Sequence, residues 1–249
     1  MKFLKCTLIT LFIFMLIPAK SYCSNVLLDI KVIDNFFWRV RKDINPHAQG
    51  EVEFTTKIFK DDRLGIGVIP FISHSFDDAA VNPDATADEE DLYCYLTFKT
   101  KGIDLKGGFI YYKVLPELQV TPAQERPVAG EFYSSMLFSY KCLGFNCYTG
   151  ETAYFDVYKK GAAYTETVVS IDLGKPNSKI FFNLGSIIGL DFGQFVEPGT
   201  PQFTVAQLKA ALNIRIAEKV FLVPNYTYVL PLTSQFEKTN IWSVSLSFR

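Results

Sequence analysis

The stretch NIWSVSLSFR, residues 240–249, has the clearest residue pattern in the chain. Four apolar side chains alternate with three serines and an arginine, a two-residue period that predicts a β-strand with one apolar and one polar face. The apolar positions are Trp242, Val244, Leu246 and Phe248. A last strand of this kind can pair with the first strand, which closes the sheet into a barrel and removes both exposed edges. A closed barrel is therefore the hypothesis for the whole chain.

The amino-terminal residues have the pattern of a secretory signal peptide. Lys2 and Lys5 precede a mostly apolar run over residues 8–17, and small residues follow. We predict a cleaved signal peptide over residues 1–23, with Ser21 or Cys23 just before the cut, and a mature barrel over residues 24–249. The run is well short of the roughly 20 residues of a membrane-spanning helix, so a retained helix is the weaker alternative. A lipid anchor on Cys23 is weaker still.

The composition excludes one class of partner and favours a membrane. The full chain has 25 basic and 26 acidic residues; without Lys2, Lys5 and Lys20 of the leader the basic count is 22, a net charge of −4. A mildly acidic exported chain does not neutralise nucleic-acid phosphates, so neither DNA nor RNA is expected as a partner. Aromatic residues make up 15% of the chain, which suits a sheet with an apolar outer surface.

Alternating segments recur along the mature chain and predict about twelve antiparallel strands in an all-β, up-and-down transmembrane barrel. The connections between the strands alternate between short turns and longer loops, and the short link at residues 159–161 is the exception. This sidedness is typical of outer-membrane barrels. The longest loops are predicted over residues 77–91 and 115–129. Residues 203–216 also contain good helix formers, but their strict alternation favours a strand.

If the apolar faces contact lipid, the alternate residues face the lumen. Thirteen charged residues occupy such positions and are predicted to line it: Glu51, Glu53, Lys57, Lys99, Asp104, Lys106, Glu131, Asp156, Glu166, Asp172, Asp191, Lys209 and Arg215. Both signs are present, so the interior is either a wet, weakly selective pore or an ion-pair network that plugs the barrel. A barrel of this size lies between those filled by side chains and those that leave a channel.

Aromatic residues near predicted strand ends suit the interfacial girdles of a membrane barrel. They are Phe36, Phe37, Trp38, Tyr111, Tyr112, Tyr226, Tyr228 and Trp242. Strands of any all-β protein are rich in aromatic residues, so this pattern only supports the membrane assignment.

The cysteines allow one disulfide. Cys6 and Cys23 fall in the leader, which leaves Cys94, Cys142 and Cys147 in the mature chain. Cys142 and Cys147 flank a turn predicted over residues 141–146 and could be bridged in an oxidising compartment. The cysteines lack the spacing and the histidine partners of a zinc site, and no metal or cofactor is predicted.

One short stretch invites a hydrolase hypothesis. Ser73, His74, Ser75 and Asp77 are close in sequence, and His74 is one of two histidines in the chain. In a regular strand the two serines lie on the opposite face from His74, so nucleophile and base do not meet locally. G-x-S-x-G, phosphate-loop and metalloprotease motifs do not occur. We expect that the protein is not an enzyme.

Several stretches resemble the TorF-type family of outer-membrane porin-like proteins, which are of unknown function. These stretches are FFWR at residues 36–39 with NPHAQ at 45–49, DLY at 91–93 with GGFIYY at 107–112, EFY at 131–133 with AYFD at 153–156 and AY at 163–164, and PNYTY at 224–228. They span most of the mature chain. The resemblance implies a single outer-membrane barrel and solute passage, and it implies no catalytic residues.

These observations predict a porin-like channel for passive diffusion of small solutes or ions in the outer membrane of a two-membrane bacterium. Its expected partners are outer-membrane lipid, the barrel assembly machinery and the solutes. Three alternatives stay open. They are a plugged structural barrel whose loops at 77–91 and 115–129 bind a partner, a barrel lipid hydrolase dependent on His74, and a soluble periplasmic barrel. The last would leave the apolar outer faces unexplained.

Overall fold

The computed structural model describes residues 25–33, 36–38, 41–43, 47–58, 63–75, 89–114, 128–157, 162–175, 178–193, 201–233 and 238–248. Every regular element in these ranges is a β-strand, and none of them contains a helix long and apolar enough to cross a membrane. Twelve strands form one closed barrel, and two short strands form a separate hairpin. This confirms the predicted all-β barrel of about twelve strands.

The barrel strands are β1 and β4 to β14, and β2 and β3 form the small hairpin. Their bounds are β1 Asn25–Ile33, β2 Phe36–Trp38, β3 Arg41–Asp43, β4 His47–Lys57, β5 Leu64–Ser75, β6 Glu89–Thr100, β7 Ile103–Val114, β8 Val128–Cys142, β9 Phe145–Asp156, β10 Ala163–Leu173, β11 Ile180–Phe192, β12 Gln202–Ala217, β13 Val220–Pro231 and β14 Thr239–Phe248. Each barrel strand pairs antiparallel with its neighbours, so the order around the barrel follows the chain.

The last strand closes the barrel as its alternation predicts. Strand β1 pairs on one side with β14, where Leu28 lies opposite Phe248, and on the other side with β4, where Asp29 lies opposite Glu51. Closure leaves no strand of the barrel with an unpaired edge. Both ends of the sheet are therefore protected without any covering element.

The connections have two sides. One end of the barrel, here called the turn end, contains the links after β4, β6, β8, β10 and β12. The first residue of β1 and the last residue of β14 lie at the same end. The link between β9 and β10 is the short exception in the sequence pattern. It connects the two strands at the opposite end of the barrel, here called the loop end, so the two kinds of connection still alternate. The β8–β9 turn shows why the turn end is tight. Leu143 and Gly144 have φ of 50° and 85°, the two positive values that a two-residue type I′ hairpin requires.

The outer face of the described wall is apolar along most strands. Trp242 is 62% exposed, and large apolar side chains such as Ile30, Phe132, Leu208 and Val244 are exposed with it. Strand β12 is a regular strand over 16 residues, with a shift of register beside Gly189 and Leu190. Alternation therefore outweighs the helix propensity of this segment, because the strand turns its polar face to the lumen and its apolar face to the outside of the barrel.

Several predicted boundaries were wrong. Residues 89–91 belong to β6 and residues 128–129 to β8, so both long loops are shorter than predicted, and the β8–β9 turn contains only residues 143 and 144. The hairpin of β2 and β3 was not predicted. Tyr112 was wrongly placed in an interfacial girdle: it is buried on the inner face, where its hydroxyl donates to Glu131 at 2.7 Å. Adjacent strand residues face opposite ways, so Tyr111 and Tyr112 cannot share a girdle.

Candidate functional site

The inner face of the barrel is identified by a contact that skips two strands. Lys106 on β7 lies 3.2 Å from Glu53 on β4, although β5 and β6 separate these strands in the sheet. Such a contact crosses the concave side of a curved wall. Residues that lie directly opposite each other on neighbouring strands are on the same face, so the inner face can be followed from strand to strand. Examples are Glu131 opposite Asp156 and Tyr164 opposite Asp191.

All thirteen charged residues selected from the sequence fall on this inner face by register. Glu51, Glu53 and Lys57 lie on β4; Lys99 on β6; Asp104 and Lys106 on β7; Glu131 on β8; Asp156 on β9; Glu166 and Asp172 on β10; Asp191 on β11; Lys209 and Arg215 on β12. Their side chains do not form one site. They are distributed over the two ends and the middle of the lumen, and their lining of an open passage stays a prediction.

Acidic groups predominate on the inner face near the loop end. They are Asp91, Glu131, Asp156 and Asp191, with Lys31 as the counter-charge. Asp191 is 0% exposed and accepts a hydrogen bond from the backbone N–H of Gly193 at 3.0 Å. Buried carboxylates of this kind need such partners, because an unpaired buried charge is costly.

Basic groups predominate near the turn end. They are Lys57, Lys99, Lys141 and Arg215, against Asp104 and Asp172. Lys99 pairs with Asp104 at 3.1 Å. Asp172 accepts hydrogen bonds from Tyr148 at 2.8 Å and Asn183 at 2.9 Å. The inner wall is therefore polarised along the barrel axis, negative at the loop end and positive at the turn end.

Three residues in the middle form what we call the cross-wall cluster: Glu53, Tyr95 and Lys106. The Tyr95 hydroxyl donates to Glu53, and the Lys106 ammonium lies 3.2 Å from the same carboxylate oxygen and 4.7 Å from the centre of the Tyr95 ring. Tyr95 can lie across the wall because Gly67 on β5 presents no side chain. A Cβ at that position would overlap the ring.

A row of tyrosines continues around the wall from this cluster. Tyr133, Tyr154 and Tyr164 lie at directly paired positions on β8, β9 and β10, with ring centroids 6.4 Å apart in each neighbouring pair. Tyr164 lies over Gly189, as Tyr95 lies over Gly67. The rings thicken one side of the wall and fill space that a smaller side chain would leave to water.

Two cavities lie on the opposite side of the lumen. The larger, about 270 Å³, is bounded by β1, β4, β5, β13 and β14. The smaller, about 200 Å³, lies toward the turn end and is lined by Glu53, Lys57, Lys99 and Lys106. Glu51 lines the first cavity and Glu53 the second, so the cross-wall cluster marks the boundary between them.

Sequence reasoning missed Asp29, Lys31, Tyr95 and Asn225. Asp29 and Lys31 lie on β1 and line the larger cavity. They alternate with Leu28, Ile30 and Val32, so the period of the first strand could have revealed them. Tyr95 and Asn225 are uncharged, and a search for charged residues does not select them.

The serines and histidine of the hydrolase hypothesis do not come together by register. Ser73 is 1% exposed on the inner face opposite Gln49, whereas His74 takes the next position, opposite Ala48, and so belongs to the other face of β5. Asp77 lies outside the described residues. Within the described ranges there is also no group of three or more His, Cys, Asp or Glu residues that could hold a metal ion.

Cys142 and Cys147 are joined across the β8–β9 turn, with Cα atoms 6.0 Å apart. Cys94 is a free cysteine at an exposed position on β6. The leader, residues 1–23, lies outside the described residues, and its cleavage stays a prediction. Of the predicted girdle, Tyr111 and Trp242 are exposed on the outer face. The side chains of residues 36–38 lie outside the description.

The architecture defines the class: a closed, twelve-stranded, antiparallel barrel of the outer-membrane type. Solved structures that are similar to it in fold include the following three. The NanC porin has a TM-score of 0.53 at 7% identity, covering 89% of this chain and 99% of that one. An outer membrane channel from Pseudomonas putida F1 has 0.53 at 10%, covering 90% and 94%. LpxR from Salmonella typhimurium has 0.52 at 10%, covering 89% and 99%.

At these identities the likeness establishes the fold alone. No family model and no curated protein matches the chain by sequence. The resemblance to the TorF-type family is therefore not confirmed.

Proposed function

We propose that this protein is a porin-like channel that lets small solutes or ions diffuse across an outer membrane. One observation carries the proposal. The Lys106 and Glu53 side chains remain 31% and 21% exposed at the middle of the inner wall, so water reaches the ion pair. A barrel filled by packed side chains has no reason to keep a solvated pair there, since isolated charges in an apolar interior are costly.

The distribution of charge supports the same function. Both signs line the inner face, the two cavities lie on opposite sides of the cross-wall cluster, and polar groups continue between them. Two of the barrels that share the fold are named as a porin and an outer membrane channel. Membership of the TorF-type family, outer-membrane localisation, a cleaved leader, insertion by the barrel assembly machinery and contact with outer-membrane lipid belong to this proposal.

Single-channel recording of the refolded protein in a planar bilayer tests the proposal. We expect discrete conductance steps, and Glu53→Lys should move the reversal potential in a salt gradient toward anion selectivity. Glu151→Lys is the matched control because Glu151 lies on the outer face of β9, opposite Met136, and should leave selectivity unchanged. Inserted, folded protein that passes no current would contradict the proposal.

The rival function is a plugged barrel whose loop end binds a partner. The observation in its favour is the cross-wall cluster itself, which ties β4, β6 and β7 together through one carboxylate. On that account, Glu53→Gln with Lys106→Met would open a barrel that is closed in the native protein. Conductance of the native protein equal to that of the double variant would exclude the rival.

A further inference from the structure

We propose that the turn end of the barrel binds the phosphate groups of anionic phospholipids in the membrane leaflet around it. The inference rests on the membrane location in the proposed function and does not depend on conduction. A ring of basic residues, here called the turn-end ring, carries it. Its members are Arg63 before β5, Lys101 between β6 and β7, Lys141 near the end of β8, Lys175 and Lys179 between β10 and β11, and Lys219 between β12 and β13.

The ring extends around most of the barrel. Five turns join strands at the turn end, and each of them has a member of the ring within it or beside it. All six residues are exposed. Since they are distributed from β5 to β13, a ligand that contacts them all must surround the barrel. A membrane leaflet does so, whereas a folded protein beside the wall would reach only a part of the ring.

The turn end has many more basic than acidic groups. In the described turns and the strand ends beside them, nine bases face three acids. The bases are the six members of the ring with Lys57, Lys99 and Arg215, and the acids are Asp104, Asp172 and Glu218. Residues 59–62, in the first turn, add one base and two acids by sequence. Even if each acid paired with a base of its own, half of the bases would be left without an acidic partner.

Four lysines of the ring have their ammonium groups available. Among the described residues, no hydrogen-bond or ion-pair partner is found for the side chains of Lys101, Lys175, Lys179 and Lys219. Each ammonium group has three N–H donors and no acceptor. An ammonium group binds phosphate as a compact point charge, without the planar geometry that a guanidinium requires. The lysines therefore fit phosphate groups that approach from outside the barrel.

Exposed apolar side chains accompany the ring and indicate which source of phosphate it contacts. They lie on the outer face near the five turns and are Leu64, Leu105, Phe145, Ile180 and Ile216. Leu64 directly follows Arg63, and Ile180 directly follows Lys179. At a bilayer boundary the apolar side chains meet acyl chains while the lysines extend to the headgroups. A soluble polyanion would contact the bases and leave the apolar side chains in water.

The loop end has a different charge balance. Acidic groups predominate on its inner face, and residues 77–91 contain seven acidic residues and no basic one. The field of exposed charges is screened over about 8 Å at physiological salt, so the field of the ring does not reach the far leaflet. We therefore expect anionic phospholipid to be enriched around the turn end and not around the loop end.

Electron spin resonance of spin-labelled lipids tests the inference on the refolded full chain in phosphatidylcholine vesicles. The measured quantity is the association constant of labelled phosphatidylglycerol at the barrel surface, relative to that of labelled phosphatidylcholine. We expect a ratio of about three or more at low salt, which approaches equality at about 1 M salt. Replacement of all four lysines by Gln, at positions 101, 175, 179 and 219, should also bring the two constants close to equality.

A pair of variants with the same change of charge locates the effect. Lys101→Gln with Lys219→Gln removes two charges from the ring and should lower the ratio by about twofold. Lys113→Gln with Lys238→Gln removes two charges near the loop end and should leave the ratio unchanged. Native folding of each variant is checked by the mobility of unheated protein on a gel.

The outcomes separate the inference from the proposed function. Equal constants for the native chain, or a ratio that the turn-end variants leave unchanged, overturn the inference. If inorganic phosphate abolishes the preference where chloride of equal ionic strength does not, the ring holds free phosphate and the assignment to lipid is wrong. Folded protein that does not insert into the vesicles contradicts the membrane location and with it the proposed function, whereas insertion without a lipid preference contradicts the inference alone.

Discussion

Lys106 Nζ lies 3.2 Å from Glu53 Oε1, although two strands of the sheet separate these residues. The contact spans the concave face of the wall and is completed by the Tyr95 hydroxyl, which donates to the same carboxylate. It divides the larger cavity from the smaller. A change in this cluster should therefore alter both stability and the passage of ions.

The energetic coupling within the pair should be modest. Because both side chains are partly solvated, we expect a coupling energy of about 1 kcal/mol between Glu53→Gln and Lys106→Met, close to that of exposed pairs. Urea unfolding of the four proteins of the double-mutant cycle in lipid vesicles measures it. The Lys99–Asp104 pair, with 56% and 26% exposure, is the matched control and should couple less. Strictly additive effects at Glu53 and Lys106 would show that the pair does not form.

The glycine beneath Tyr95 offers a test that leaves every charge in place. In Gly67→Ala the added Cβ meets the far end of the Tyr95 ring, so the ring must move and release Glu53. We expect a larger unit conductance and a shift toward cation selectivity in single-channel recordings. Gly50→Ala on the neighbouring strand is the control, because its Cβ would meet nothing within 4 Å. Identical currents from both variants would show that the position of the Tyr95 ring does not affect conductance.

The proposed membrane location makes one carboxylate on the outer wall unfavourable. Glu151 is exposed midway along β9, opposite Met136 and Thr167. A charged side chain on the lipid face at mid-bilayer costs roughly 2–4 kcal/mol for Lys or Arg and less for Glu. We therefore expect Glu151→Leu to raise the free energy of unfolding in vesicles by about 1–2 kcal/mol.

The same substitution on the inner face should have the opposite sign. Glu131 is buried and accepts a hydrogen bond from Tyr112 at 2.7 Å, so Glu131→Leu removes this buried hydrogen bond and should destabilise the barrel. If Glu131→Leu stabilised the fold and Glu151→Leu weakened it, the inner and outer faces would be assigned the wrong way round.

The disulfide predicts a definite thiol count. With Cys142 bridged to Cys147, the mature chain has one free thiol, Cys94. Maleimide labelling of denatured protein should modify one cysteine before reduction and three after it. Reduction should also cost about 2 kcal/mol of stability, the value expected for so short a loop. Labelling of three thiols without reduction would show that the bridge is absent.

Much of the fold could be predicted because the two-residue period acts on every strand alike. Trp242 to Phe248 gave the closing strand, and the alternation through residues 203–216 overrode a local preference for helix. A closed barrel has one inside and one outside, so each alternating segment can satisfy only one register. That constraint placed all thirteen charged residues on one face.

The contacts between those residues could not be predicted in the same way. The local pattern does not predict the contact between Lys106 and Glu53. That contact depends on the curvature of the wall and on the absence of a side chain at Gly67. Tyr112 was misplaced because an aromatic residue near a strand end suits either face. Alternation specifies faces, whereas packing specifies partners.

The most direct test of the account asks whether the inner face is reached by water. Glu51→Cys and Glu151→Cys, each made in a Cys94→Ser background, place a thiol on the inner and outer faces. A sulfonated, membrane-impermeant thiol reagent is added during single-channel recording. The account predicts that the reagent reduces the current through Glu51→Cys and leaves Glu151→Cys unchanged. Unmodified Glu51→Cys in an inserted, folded barrel would contradict a water-filled lumen lined by these residues.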